Sequence, residues 1–126
     1  MFQLKDYQKT TLEKLKNFLE KARIYNAENA FKEVCTVPNM PYKSIEGIEN
    51  TPYVCLRLPT GGGKTHLSAQ SIGIASKYYL EKEYPTVLWL TPSRTIKEQT
   101  VETLKNPRHP NRELVDQMFD GNVKIF

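Results

Sequence analysis

Apolar side chains recur early in the chain at Leu4, Tyr7, Leu12, Leu15, Leu19 and Ala22. That spacing stays close to the helical period and gathers one face, so residues 4 to 24 are expected to form an amphipathic helix. From Asn26 to Pro52 the period is lost. Pro38, Pro41, Gly47 and Pro52 punctuate this stretch, which predicts a long connector or inserted loop. Tyr53-Val54-Cys55-Leu56-Arg57-Leu58 then forms a short, mostly apolar, β-prone run that ends in Pro59-Thr60-Gly61-Gly62-Gly63. This is the pattern of a buried strand entering a turn.

From Lys64 to about Glu81 a helix is expected, with Leu67, Ser68, Ser71, Ile74, Ala75 and Tyr78 along one side. Thr86 to Leu90 reads as a second buried strand, closed by Thr91-Pro92. Ile96, Thr100, Val101 and Leu104 mark a further helix that Asn106-Pro107 ends. A short helical piece follows around Glu113 to Phe119, then a turn at Asp120-Gly121. Val123-Lys124-Ile125-Phe126 has the pattern of a strand just starting.

Strands alternating with helices predict an α/β fold, a parallel sheet flanked by helices and preceded by the N-terminal helix. A parallel sheet normally needs more strands than these, so the expected sheet is incomplete. The division that follows is a first part, residues 1–52, with the helix and connector. Residues 53–126 are the second, the first portion of a larger domain.

Composition narrows the classes. The net charge of +4 permits contact with polyanions without requiring it. No run approaches the roughly 18 apolar residues that span a bilayer, and the N-terminus has no apolar signal core. No membrane association is expected, and a cytoplasmic location is the default. Cys35 and Cys55 have no partner at metal-ligand spacing; Cys55, inside an apolar run, is expected to be a small core residue.

The chemistry concentrates at Pro59-Thr60-Gly61-Gly62-Gly63-Lys64-Thr65. A nucleoside triphosphate needs several donors that converge on one small volume. Consecutive glycines let backbone N–H groups point inward as an anion nest. The helix beginning at Lys64 adds free N–H groups and the positive end of its dipole. Lys64 would reach the β- and γ-phosphates, and the Thr65 hydroxyl would ligate Mg²⁺; these two are the candidate catalytic residues. His66 follows on the first turn and is a further candidate to approach a phosphate, although such a residue also packs or faces solvent. The general P-loop pattern begins with a glycine, and Leu58 occupies that position here.

The loop Leu58 to Thr65 resembles motif I of superfamily 2 helicases and translocases, whose first glycine is commonly replaced. Leu4-Lys5-Asp6-Tyr7-Gln8 resembles an N-terminal glutamine motif, and Leu88-Trp89-Leu90-Thr91-Pro92-Ser93-Arg94 resembles motif Ia. Together these look like the DEAD/DEAH-box-like group that contains the Res subunit of type III restriction enzymes. The resemblance implies a RecA-like P-loop NTPase fold, with ATP and Mg²⁺ bound by Gln8, Thr60, Gly61, Gly62, Gly63, Lys64, Thr65 and His66. Gln8 would read the adenine edge, because a carboxamide offers one donor and one acceptor; it also reads as a plain polar residue of the first helix. Thr91, Pro92, Ser93 and Arg94 would contact the backbone of nucleic acid, double-stranded DNA above all. The same residues also suit a helix start without ligand, with Thr91 as N-cap and Pro92 at the first helical position.

On this resemblance the chain is the ATP-binding N-terminal part of a DNA helicase or translocase, with a methyltransferase or specificity subunit as a possible companion. Hydrolysis needs an acid at a strand end to hold Mg²⁺ and a carboxylate to activate water. Neither is found after an apolar run in this sequence, so the chain alone is not expected to turn over ATP efficiently. The alternatives are a stand-alone P-loop module that binds without hydrolysis and a small-molecule kinase; the motif Ia and Gln8 elements weigh against the kinase.

Overall fold

The structure, a computed structural model, describes residues 3–59, 61 and 63–126. Among the described residues five α-helices are formed: α1, Asp6–Ile24; α2, Ala27–Val34; α3, Lys64–Ala75; α4, Arg94–Lys105; and α5, Pro110–Met118. A π-helical turn, Ser76–Leu80, continues α3. In space the helices form a row, with α2 against α1, α1 against α3, α3 against α5, and α5 against α4.

Helix α1 buries Gln8, Leu12, Leu15 and Leu19, which fall at successive intervals of four, three and four residues, together with Phe18. Tyr7, expected on that face, is largely exposed. Across from this stripe, Ala27 and Ala30 of α2 allow close approach, and Phe18, Phe31 and Tyr42 stack around the seam. The centroids of Phe31 and Tyr42 lie 5.5 Å apart. On the other side of α3, Ala69 meets Val115 and Phe119 of the α5 region. Leu67, 1% exposed, is among the most deeply buried apolar side chains, and its burial contributes about 2 kcal/mol.

Helix α2 lies inside the stretch expected to be irregular. Asn26 caps it, its side chain accepting from Asn29 N at 2.8 Å. The helix is only 8 residues long, too short for its period to stand out between prolines. Its stability comes from the packing of Ala27, Ala30 and Phe31 on α1.

The expected parallel sheet is not formed: among the described residues there is no strand, and the architecture is helical. The three β-prone runs belong to no helix and form no ladder. A strand exists only through its pairing, and local contacts engage these backbones instead. The N–H of Tyr53 donates to the Tyr42 hydroxyl at 3.1 Å, and Val54 packs on the α1–α2 cluster. The N–H of Val123 closes a tight turn onto Gly121 O at 3.0 Å. In the middle run, Leu88 and Leu90 are 82% and 81% exposed, so their apolar character reports a tendency to be buried that no neighbour satisfies. Cys55, expected in a core, is exposed for the same reason. Among the described residues no helix is long and apolar enough to cross a membrane.

Candidate functional site

The first turn of α3 is the focus of the molecule's buried polar contacts. Gly61 and Gly63 both have left-handed backbones, with φ of +73° and +75°, a region that costs other residues steric energy. Gly63 is the N-cap of α3 and accepts from Leu67 N at 2.9 Å. The amides of the first helical turn therefore have no partner within the helix, and they point outward at its positive end. Thr60 and Gly62 lie outside the described residues.

Gln8 is brought directly against this loop. Its side chain is 4% exposed, and a β-carbon placed on Gly63 would come 2.8 Å from Gln8 Nε2. Its Oε1 accepts from Lys5 N at 2.8 Å, which closes the start of α1 and fixes the carboxamide. Gln8 is thus a polar residue of the first helix that also lies against the loop. It heads the buried stripe of α1, four residues before Leu12.

Lys64 is exposed at the helix start, and Thr65 beside it is half-buried. His66 turns the other way. It is 7% exposed, with Nδ1 2.9 Å from Asn111 Oδ1 on α5 and Nε2 3.5 Å from Gln70 Nε2. An amide oxygen only accepts, so this contact puts a proton on Nδ1. Asn111 was not foreseen as a site residue. The available signal was its position: it heads the stripe Asn111, Val115, Phe119 of the α5 region, a polar residue at an apolar position.

The donor set fits a magnesium–nucleotide. A side chain at Gly63 would crowd the Gln8 carboxamide, the helix start presents amides, and Lys64 and Thr65 offer an ammonium and a hydroxyl. Among the described residues no group of three or more His, Cys, Asp and Glu side chains is gathered. Magnesium would accordingly rest on the Thr65 hydroxyl and on phosphate oxygens.

Residues Thr91 to Arg94 sit at the start of α4, apart from the loop. The helix begins at Arg94, and its cap is Ser93, whose hydroxyl accepts from Ile96 N at 3.2 Å; the start falls two residues later than Thr91 and Pro92 would set it. Thr91 Oγ1 donates to Ser93 O at 3.3 Å. Arg94 is 90% exposed and pairs with Glu98 at 3.0 Å. These residues therefore present two hydroxyls, a guanidinium and a helix N-terminus at the surface. Helix α4 packs mainly on α5.

No curated protein and no solved structure gives a significant match to this sequence. Residues 1–126 match the family described as type III restriction enzyme, res subunit. Because that match runs from the first residue to the last, the chain belongs to this family, whose members are ATP-dependent enzymes of helicase type.

Proposed function

We propose that the chain binds magnesium–ATP at Pro59 to Thr65 and is the N-terminal part of an ATP-dependent DNA helicase or translocase of the restriction kind. The observation that carries this reading is the seating of the buried Gln8 carboxamide against Gly63 at the start of α3. A base-reading group and a phosphate-binding helix end are thereby held side by side. Lys64 supplies charge to the β- and γ-phosphates, Thr65 holds the metal, and the first-turn amides take the remaining phosphate oxygens. Bound magnesium neutralises phosphate charge as it develops. His66, turned toward Asn111, supports the helix start from behind in this reading. Thr91, Ser93 and Arg94 contact the phosphates of duplex DNA, with Pro92 fixing the approach to α4.

Fluorescent nucleotide titration tests the site. The wild-type chain is expected to prefer ATP to GTP, and Gln8→Ala to lose that preference. Lys64→Ala is expected to weaken binding by about tenfold or more, the loss of one charge-assisted contact. Since Lys64 is exposed, its removal leaves folding stability within about 0.5 kcal/mol. Unchanged base discrimination in Gln8→Ala would remove the adenine role. Efficient ATP turnover by these residues alone, abolished by Lys64→Ala, would overturn the expectation that the chain binds without efficient hydrolysis.

A further inference from the structure

Two adjacent residues of α5 reach in different directions. Successive side chains on a helix are about 100° apart, so neighbours can serve two separate partners. Asn111, 7% exposed, reaches α3 and meets His66 Nδ1 at 2.9 Å, one residue beyond Thr65. Arg112, with a side chain 19% exposed, donates from Nη1 to Leu104 O at 3.0 Å, near the C-terminal end of α4. Its Nε is held by Asp116 at 2.9 Å, so the guanidinium is locked onto α5 while it grips α4. Leu104 also packs into the cluster that Ala69 of α3 shares with Val115 and Phe119.

We infer that Asn111 and Arg112 are positioning residues that mechanically link the first turn of α3 to α4 through one turn of α5. The His66–Asn111 contact is buried and the Arg112–Leu104 contact part-buried, so exchanging either partner for water carries a cost, larger for the first. A 12-residue helix is a stiff rod about 18 Å long. Whatever holds its C-terminal end therefore sets where its N-terminal end, Thr91 to Arg94, points. A shift in the first turn of α3 moves His66, then Asn111, then its neighbour Arg112 and the end of α4. The identity of the ligands at the two ends rests on the function proposed above; the link itself does not.

The test begins without ligand, by hydrogen–deuterium exchange on the full chain. Arg112→Ala is expected to raise exchange in residues 64–70, which Arg112 does not touch, by about threefold or more, and Asn111→Ala to do the same in residues 100–105. Arg112→Lys, which keeps the charge and a donor, should return part of the protection; it also serves if the alanine variant folds poorly. Changes confined to the helix each side chain contacts would overturn the inference. The second arm uses magnesium–ATP and a short labelled DNA duplex. Saturating nucleotide is expected to change the duplex affinity of the wild-type chain by about fivefold or more, and this coupling factor to fall toward one in both alanine variants. A coupling factor the variants leave intact would overturn the link. Nucleotide binding that Lys64→Ala leaves unchanged would instead overturn the site assignment, while the ligand-free exchange still reads the link.

Discussion

Gly63 carries two constraints at one position: a left-handed backbone and the Gln8 amide where a side chain would stand. Gly61 has nearly the same backbone, with nothing within 4 Å of a β-carbon. The two glycines therefore separate backbone strain from close contact. Gly61→Ala is expected to cost about 1 kcal/mol, the left-handed penalty alone. Gly63→Ala should cost about 2 to 3 kcal/mol, because the Gln8 carboxamide must also move. In a Gln8→Ala background the extra cost of Gly63→Ala should disappear. Urea denaturation of the four variants measures this, and equal costs at both glycines would contradict it. Gln8 and Asn111 share a logic that is readable along the chain only after the fact. Each is a polar residue heading a buried apolar stripe, and each meets the first turn of α3, one at Gly63 and one at His66. Gln8 was singled out from the sequence and Asn111 was not, and the Asn111–His66 pairing joins residues 45 apart.

Among the elements, α3 packs on both α1 and α5, and Gly73 lies directly against Met118 of α5. A β-carbon there would fall on Met118 Sδ. Alanine in a helix interior gains about 1 kcal/mol over glycine, and displacing a flexible methionine costs a comparable amount. Gly73→Ala should therefore leave stability within about 1 kcal/mol, but in a Met118→Ala background it should stabilise by about 0.5 to 1 kcal/mol. A destabilising Gly73→Ala in that background would place the obstacle elsewhere.

Helices α1 and α2 are also joined by charge. Lys21 Nζ donates to Glu33 Oε2 at 2.6 Å. That hydrogen bond, followed by one from Tyr25, holds the Glu33 carboxyl below its ordinary value of 4.5. Its folded value lies below the unfolded one, so its contribution is complete above 4.5 and is lost as pH falls through the folded value. The stability difference between wild type and Glu33→Gln near pH 7 should thus shrink as pH falls below 4.5 and through the lowered folded value, and be small throughout because the pair is exposed. A difference that persists in acid would show that the carboxylate charge is not its source. The other expected helices, α1, the α3 region, α4 and α5, were legible because each combined a period with a recognisable start or stop. Helix α2 was not: two alanines and a capping asparagine give little period, and its packing on α1 supplies the rest.

The whole chain carries a net charge of +4, too modest for bulk attraction to carry the proposed DNA contact, which would then rest mainly on placed side chains. For the proposed duplex contact, the logarithm of affinity should fall linearly with the logarithm of salt. Arg94→Glu should weaken binding about equally across sequences and reduce that slope by about 1. Anisotropy titrations over a salt series measure this, and a slope indifferent to Arg94 would remove it from the contact. At this scale the sequence was least complete as a guide. The runs at 53–58, 86–90 and 123–126 are mostly apolar and β-prone, but an apolar run names no partner. The Tyr42 hydroxyl, the turn at Gly121 and the packing of Val54 engage parts of the first and last runs, and Leu88 and Leu90 stay in solvent.

By itself, the sequence determined what depends on near neighbours along the chain. That includes most of the helices, the glycine-bounded start of α3 with Lys64 and Thr65 following it, and the family, which is carried by short contiguous motifs. Tertiary structure alone decided that the helices line up as a row with no sheet among the described residues, that Gln8 closes on Gly63, and that Asn111 holds His66. The division is physical. Helical hydrogen bonds close within four residues and are encoded locally, whereas strand ladders and buried polar pairs join residues tens of positions apart, and only the packed molecule selects among their possible partners.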